Sequence, residues 1–350
     1  MQATALWFPA EKKVEFRTEE LRHCGPDDVC VEAIVSGISH GTELTIYRGQ
    51  APSADTVLNL PQDAIQPQAT MGGTFQGRFP IKYAYANVGR VLEVGSATPF
   101  APGDLVFCRV PHQTRYIVES RLATKLPSDL EPLEAASTLG LLDVATNALM
   151  DHPVLIGDVV AVYGCGVVGL FIVELVRRTA AKVIAIDPLA SRRSVALEFG
   201  ADAAVDPSDA LLAIKDLSGG RGTDVSVEAS GAASALQTAI AGTGAEGTVL
   251  IPGYYGIKPI SLTLSPEFHM RRLRIVSSSV NAVDGRLSQR WSLERRMQLN
   301  IDLLGPLKAA SLISHRIPFE EAAAAYEMID QRPEEVVSVV LTYGGDGAGS

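Results

Sequence analysis

The sequence predicts an α/β fold, a doubly wound parallel sheet joined to a compact β-rich part. Three observations carry this. From Asp158 onward, six short apolar runs alternate with helical patterns. One of these transitions is glycine-rich, with Gly164, Gly166 and Gly169 between a β-branched run and an apolar helix. Residues 1–125 instead hold short alternating strands and turn clusters such as CGPDD and TPFAPGD.

The six predicted strands are Asp158–Tyr163, Lys182–Asp187, Ala203–Val205, Asp224–Glu228, Thr248–Ile251 and Leu273–Ser278. Helical spacing falls between them at Ser191–Phe199, Asp209–Leu217 and Ala233–Ala241. A basic amphipathic helix is expected over Asn281–Asn300, then a helix in PFEEAAAAYEMI and a strand in VVSVVLTY. Gln50–Arg78 is polar and rich in Gln, Pro and Gly, the pattern of a long functional loop. The closing GGDGAGS reads as a disordered tail. No internal repeat is visible.

Composition excludes several classes. At 350 residues and 47% hydrophobic, the chain has room for two domains and their cores. A net charge of −10 disfavours nucleic acid and acidic membrane partners, which need a basic face. Arg271, Arg272 and Arg274 make a small cluster suited to a solvated edge or a subunit contact. No apolar run reaches membrane-span length, and MQATALWFPAEKK lacks the pattern of a secretory signal. Cys24, Cys30, Cys108 and Cys165 form no C-x-x-C pair. Buried reduced thiols and a cytoplasmic location are the expectation.

The glycine spacing G-x-G-x-x-G between strand and helix is that of a dinucleotide-binding turn. Gly164 permits the tight turn, Gly166 lets the backbone approach a pyrophosphate, and Gly169 lets the helix pack on the strand. The N–H groups of the first helical turn, at Val167 and Val168, face the phosphates. The next strand, KVIAID, ends at Asp187. A carboxylate there accepts from the ribose hydroxyls and repels a 2′-phosphate, which favours NAD over NADP. Ala229 and Ser230 end the fourth strand, Gly253 follows the fifth and Ser278 ends the sixth. All lie at the carboxyl edge, where open sheets bind ligands. They are expected to flank the nicotinamide ribose and its carboxamide.

The segments VSGISHGTE, ANVGRVLEVG, APGDLVF, GDVVAVYGCGVVGL and LISHRIPFEEAAAAYEMI are together similar to the medium-chain dehydrogenase/reductase superfamily. This is the alcohol dehydrogenase and quinone reductase fold, and the resemblance spans nearly the whole chain. It implies a GroES-like catalytic domain from residues 1–141 and 281–350, and a Rossmann domain over residues 142–280. It also implies a substrate cleft between the domains, and a basic residue, Arg192, near the adenosine ribose. NADP stays possible on that account. A homodimer through the cofactor domain follows too, with Ile260–Leu264 suited to edge pairing.

Zinc members of the superfamily carry a Cys in the first motif, a His-Glu pair in the second, and a later Cys or Glu. Here the matching positions are Ser39, Tyr85 with Ala86, and Gly140. Ser and Tyr are poor zinc ligands at neutral pH and Gly offers none. The resemblance therefore implies a zinc-independent member. GIS-x-GTE and Y-x-Y-AN-VG look most like the branch containing bacteriochlorophyllide hydroxyethyl dehydrogenase.

Without a Lewis acid, a proton donor must serve the substrate oxygen. Tyr85 stands where the metal-ligand His would be, so its phenol is the candidate donor. Ser39 and Thr42 are candidates to relay the proton, and His40 to link it to solvent or a phosphate. The competing reading has Tyr85 fill vacated volume, with Ser39 and Thr42 as turn residues. His112 could reach the cleft but reads more readily as a surface or packed histidine, and Asp143 as a carboxylate that bonds ribose or, preferably, orders a helix start. The expected activity is interconversion of a secondary alcohol and a ketone, with NAD preferred. The alternatives are an enoyl or quinone reductase, and a nucleotide-binding protein without catalysis.

Overall fold

Near-continuous burial, not alternation, marks the long strand that organises the first part of the chain. The structure, a computed structural model, describes residues 1–51, 79–130, 133–179 and 181–344. It divides into two compact units, Met1–Gly140 with Lys308–Ser350, and Leu141–Leu307.

In the first unit, β1 (Gln2–Trp7) and β2 (Glu15–Glu20) form an antiparallel ribbon. β3 (Asp28–Ile38) is the long strand, with valines and small residues buried on both faces. It pairs with β4 (Asn87–Val94), which leads to β5 (Leu105–Cys108). β6 (Arg115–Glu119) pairs with the start of β3, and β7 (Ala123–Lys125) with β5. Val29, Val31, Val91, Val106, Cys108 and Tyr116 pack as its core. The end of the chain returns to this sheet as β14 (Ile313–Pro318) and β15 (Ser338–Thr342). The strand order is β14-β15-β3-β4-β5-β7, and β15 lies antiparallel to β3 with Val339 opposite Ile38.

The second unit holds β8 (Val159–Tyr163), β9 (Lys182–Ile186) and β10 (Ala203–Val205). β11 (Thr223–Glu228), β12 (Thr243–Ile251) and β13 (Arg274–Ser277) complete it. The order is β10-β9-β8-β11-β12-β13, all parallel. This is the doubly wound sheet expected, and its order reverses between β8 and β11, the switch point that opens a ligand crevice. Val159, Ala161, Ile184, Ile214, Leu236 and Val249 are part of the core between sheet and helices.

Two elements differ from the sequence reading. β12 begins at Thr243 rather than Thr248. Its first half holds glycines and shifts register against β11, so it reads as a turn in the sequence. The helix expected from Asn281 begins only at Leu293, with Ser292 as its N-cap, accepting from Arg295 N at 3.2 Å. Asp284 intervenes: its carboxylate accepts from Arg286 N at 2.7 Å, an Asx turn that competes with helix. The Leu293–Leu303 helix lies within the second unit, and the chain rejoins the first at Lys308 rather than at residue 281. Of the long loop only Gln50 and Ala51 are described, and of the tail only Gly344; the rest of both expectations lies outside the described residues. Among the described residues no helix is long and apolar enough to cross a membrane. All four cysteines are free thiols.

Candidate functional site

In the second unit, β8 runs into Gly164, whose φ of +92° is a left-handed value that glycine adopts without strain. A Cβ on Gly169 would lie 1.9 Å from the Gly164 carbonyl oxygen, so the helix closes on the turn only with glycine there. A Cβ on Gly166 would meet nothing within 4 Å. That open side, beside the N-terminal turn of the Val167–Arg177 helix, is where a pyrophosphate can approach. Val167 and Val168 supply the first N–H groups.

Asp187 follows β9 and is buried. Its Oδ2 accepts from Cys165 N at 2.8 Å and its Oδ1 from Leu189 N at 2.9 Å. The carboxylate thus ties the glycine turn to the end of the second strand, and each oxygen keeps a lone pair for a ribose hydroxyl. Arg192 lies half-buried in the Ala190–Glu198 helix. Its neighbour Arg193 holds the backbone here, donating to Asp187 O at 2.7 Å and Pro188 O at 2.9 Å. The sequence reading did not single out Arg193.

Glu228, at the end of β11, organises the next loop. It is fully buried and accepts from Ser230 N at 2.8 Å, Gly231 N at 3.1 Å and Tyr255 OH at 2.6 Å. Ala229 N donates to Tyr163 O at 2.9 Å, and Gly253 N to Glu228 O at 3.2 Å. A Cβ on Gly164 would sit 2.8 Å from Ser230 Cβ. Gly164, Ala229, Ser230 and Gly253 are therefore gathered at one edge of the sheet. Ser278 Oγ accepts from Asn147 Nδ2 at 2.9 Å.

Asp143 does not order a helix start. It is inside the Leu139–Asp151 helix and takes a two-pronged ion pair from buried Arg296, at 2.7 and 3.2 Å. Asn300 Nδ2 donates to it at 2.9 Å, and Arg296 also donates to Val280 O at 2.7 Å. Asn147, bonded to Ser278 Oγ and to Ser279 O, accepts from the same guanidinium. One buried network thus holds the backbone that follows β13.

In the first unit, β3 ends and the chain turns into the Thr42–Tyr47 helix, which places Ser39 and Thr42 close together. Tyr85, just before β4, reaches them: its hydroxyl donates to Ser39 Oγ at 2.6 Å. Tyr85 is 4% exposed and Ser39 3%. Burial pushes the Tyr85 phenol up to about 12, with the Glu43 charge adding and the Ser39 and Thr42 bonds opposing. A Cβ on Gly140 would lie 2.9 Å from the Tyr85 ring. Ser39, Tyr85 and Gly140, matched to three ligand positions by sequence alone, thus come together in space.

They do not fit zinc. A buried neutral phenol, a hydroxyl and a bare Cα replace the thiolate, imidazole or carboxylate that zinc takes. Among the described residues no group of three His, Cys, Asp or Glu side chains is placed to hold a metal. Lys82 is drawn away from Tyr85 by Glu19, at 2.5 Å. His40 sits half-buried in the turn between Ser39 and Gly41.

Glu43, which the sequence reading left unassigned, lies directly behind this pair and is fully buried. Its Oε1 accepts from Ser39 N at 3.1 Å. Its Oε2 meets His112 Nε2 at 3.1 Å and accepts from Tyr326 OH at 2.8 Å. His112 Nδ1 in turn meets Ser36 Oγ at 2.7 Å. Of the surface and packed readings of His112 the structure shows the packed one, and its partner is a carboxylate. The visible signal was an acid in the otherwise uncharged run TELTIY.

A family model described as zinc-binding dehydrogenase matches residues 167–294. D-guloside 3-dehydrogenase of Escherichia coli (strain K12) is 30% identical over 322 residues, covering 87% of this chain and 89% of that protein. The chain belongs to the medium-chain dehydrogenase/reductase superfamily. The 2-desacetyl-2-hydroxyethyl bacteriochlorophyllide A dehydrogenase of Cereibacter sphaeroides is 25% identical and covers 95% of this chain and 96% of that one. The fold matches a putative zinc-binding dehydrogenase from Sinorhizobium meliloti 1021 bound to NADP, with TM-score 0.76, 23% identity and coverage of 98% and 99%.

Proposed function

We propose that this chain interconverts a secondary alcohol and a ketone by hydride transfer, with NAD(H) preferred and without a catalytic metal. The observation that carries the reading is the buried Tyr85–Ser39 hydrogen bond, at the positions matched to metal ligands. The relatives are both named as dehydrogenases, which supports the reaction class. The open side of Gly166 and the carboxylate of Asp187 support a dinucleotide.

A bound nicotinamide supplies the hydride in reduction and accepts it in oxidation. The chain's own residues handle the proton. As hydride adds to the carbonyl carbon, the C=O electron pair moves to oxygen, and Tyr85 turns its hydroxyl hydrogen from Ser39 Oγ to that oxygen and donates the proton there. The phenol is held protonated by burial, so it enters the step as an acid. Ser39 and Thr42 orient its oxygen, and Ser39 gives its own hydroxyl proton to the phenolate while taking a replacement from solvent. Oxidation of the alcohol runs the same transfers backward. The free thiols support a reducing compartment, in keeping with a cytoplasmic enzyme.

The test is Tyr85→Phe, which keeps the ring and removes the hydroxyl. Ketone reduction is followed at 340 nm, with alcohols such as methyl guloside, sorbitol and cyclohexanol for the reverse direction. We expect kcat to fall roughly 100-fold, with cofactor affinity and thermal stability little changed. Near-wild-type turnover, with a deuterated cofactor showing hydride transfer to be rate-limiting, overturns Tyr85 as donor. Incubation with 2-cyclohexenone tests the reaction itself. An allylic alcohol supports the proposal, and a saturated ketone replaces it with C=C reduction.

A further inference from the structure

Behind the Tyr85–Ser39 pair lies a set of buried polar groups that the proposed reaction does not use. Glu43 is fully enclosed, and so is His112. The wall around them is aromatic: Phe8 and Tyr47 ring centroids lie 5.2 and 5.3 Å from that of Tyr326, and His112 packs on the same tyrosine at 6.4 Å. Burying a carboxylate in such surroundings is costly unless its lone pairs are met. Here three groups meet them: Ser39 N on Oε1, and His112 Nε2 and Tyr326 OH on Oε2. His112 is itself anchored by Ser36 Oγ, which also bonds Tyr343 OH at 2.8 Å.

This arrangement is directional. The Oε2 side is fixed by β15-proximal Tyr343, by Ser36 of β3 and by Tyr326. On the Oε1 side, among the described residues, the group held is the backbone N–H of Ser39. Ser39 is the residue whose hydroxyl accepts from Tyr85. A turn residue held only by its own backbone would let that hydroxyl wander, and an error of about 1 Å in a proton-transfer geometry is expensive.

We infer that Glu43 is a positioning residue for the reaction. Anchored by His112 and Tyr326, it fixes Ser39 through the backbone N–H and thereby aims the Tyr85 hydroxyl. The inference rests on the reading of Tyr85 as proton donor. It adds a second effect through charge: Glu43 faces Tyr85 as well as His112, Tyr326 and Tyr343, and its charge helps keep the Tyr85 phenol protonated, with Arg109 pulling the other way. Glu43 touches no reacting atom.

The test uses Glu43→Gln, which keeps shape and one acceptor oxygen but removes the charge, and Tyr326→Phe, which removes one anchor and leaves Ser39 untouched. The first readout needs no turnover. Amide hydrogen exchange at Ser39 should quicken by about tenfold in Glu43→Gln and in the same direction in Tyr326→Phe. In kinetics, kcat of Glu43→Gln should fall about tenfold or more while the cofactor KM stays within about twofold. The alkaline limb of its kcat profile should move to lower pH, since the phenol loses a neighbouring negative charge. In a Tyr85→Phe background, Glu43→Gln should cost little more, because it acts through the same pair. Unchanged exchange at Ser39 overturns the inference, as does a full additive loss in the double variant. If Glu43→Gln does not fold, Tyr326→Phe decides by the same exchange measurement. An active Tyr85→Phe single variant overturns the donor reading instead, so the two failures are distinct.

Discussion

Arg296 grips Asp143 with two nitrogens inside the second unit, at 2.7 and 3.2 Å, and neither side chain is more than 3% exposed. The residues are far apart in the chain and the pair is shielded from solvent. Its guanidinium also holds Val280 O, so the ion pair and the backbone after β13 form one object.

The first prediction concerns that pair. Arg296→Met leaves Asp143 buried without its countercharge, and should cost about 3–5 kcal/mol of stability. Adding Asp143→Leu should recover part of the loss, since no uncompensated charge remains. Urea melts of the three variants check this. A double variant less stable than Arg296→Met would show that the network, not the lone charge, sets the cost.

Cofactor choice gives the second. NADH should bind more tightly than NADPH, because Asp187 offers its carboxylate to a ribose diol and repels a 2′-phosphate. Asp187→Ala is a poor probe, since Cys165 N and Leu189 N would both lose their acceptor. Asp187→Asn keeps an acceptor and removes the charge. It should narrow the gap by about tenfold, about 1.4 kcal/mol, in a fluorescence titration of both reduced cofactors. Tighter NADPH binding by the unaltered protein would assign the choice to the Arg192–Arg193 pair.

Metal content is the third. Purified protein should contain well under one zinc per chain, and chelators should leave turnover intact. Ser39, Tyr85 and Gly140 bring no ligand that zinc prefers. Stoichiometric zinc that survives dialysis would mean a ligand set elsewhere in the chain.

A fourth concerns acid stability. The Arg22 guanidinium, with burial opposing and Gly25 N assisting, holds the Asp28 carboxyl down to about 2. A depressed carboxyl stabilises the fold above its unfolded value, about 3.9, and loses that contribution as pH falls through its folded value. The wild type should therefore exceed Arg22→Ala in stability at about pH 5, and the difference should shrink between about pH 4 and 2. A difference constant over that range would exclude the linkage.

The fifth is assembly. Among the described residues β13 pairs with β12 alone; Ile275 of that strand is exposed, as are Ile260 and Leu264 of the Ile260–Leu264 segment. A two-fold pairing would cover them. Light scattering at micromolar concentration should give a dimer, and Ile275→Lys should weaken it. A monomeric wild type would contradict the pairing.

The doubly wound sheet was legible because each buried strand is a β-branched run and each break carries glycine or a helical period. Thr243–Gly247 was not, because its glycines imitate a turn, and the Asn281 helix was not, because the Asp284 turn is a local choice that helical spacing does not reveal. In the site, Ser39, Tyr85 and Gly140 were found by motif position. Glu43 and His112 are distant in sequence, and only the folding of β3 and its neighbours brings them together. A buried ion pair such as Arg296–Asp143 leaves no periodic trace at all, since each member looks like an ordinary helix-surface charge.

The placement of β15 between β3 and β14 has a consequence for synthesis. Residues that emerge late from the ribosome must insert beside a strand made near the beginning. Until Val339 meets Ile38, the flank of β3 that leads to Ser39 is an open edge, and Tyr343 is not yet available to Ser36. The intervening parallel sheet can close in the meantime from contiguous chain. The sheet that carries Ser39 and Tyr85 is thus completed only when this late segment docks, and the waiting edge is a natural point for a chaperone to guard.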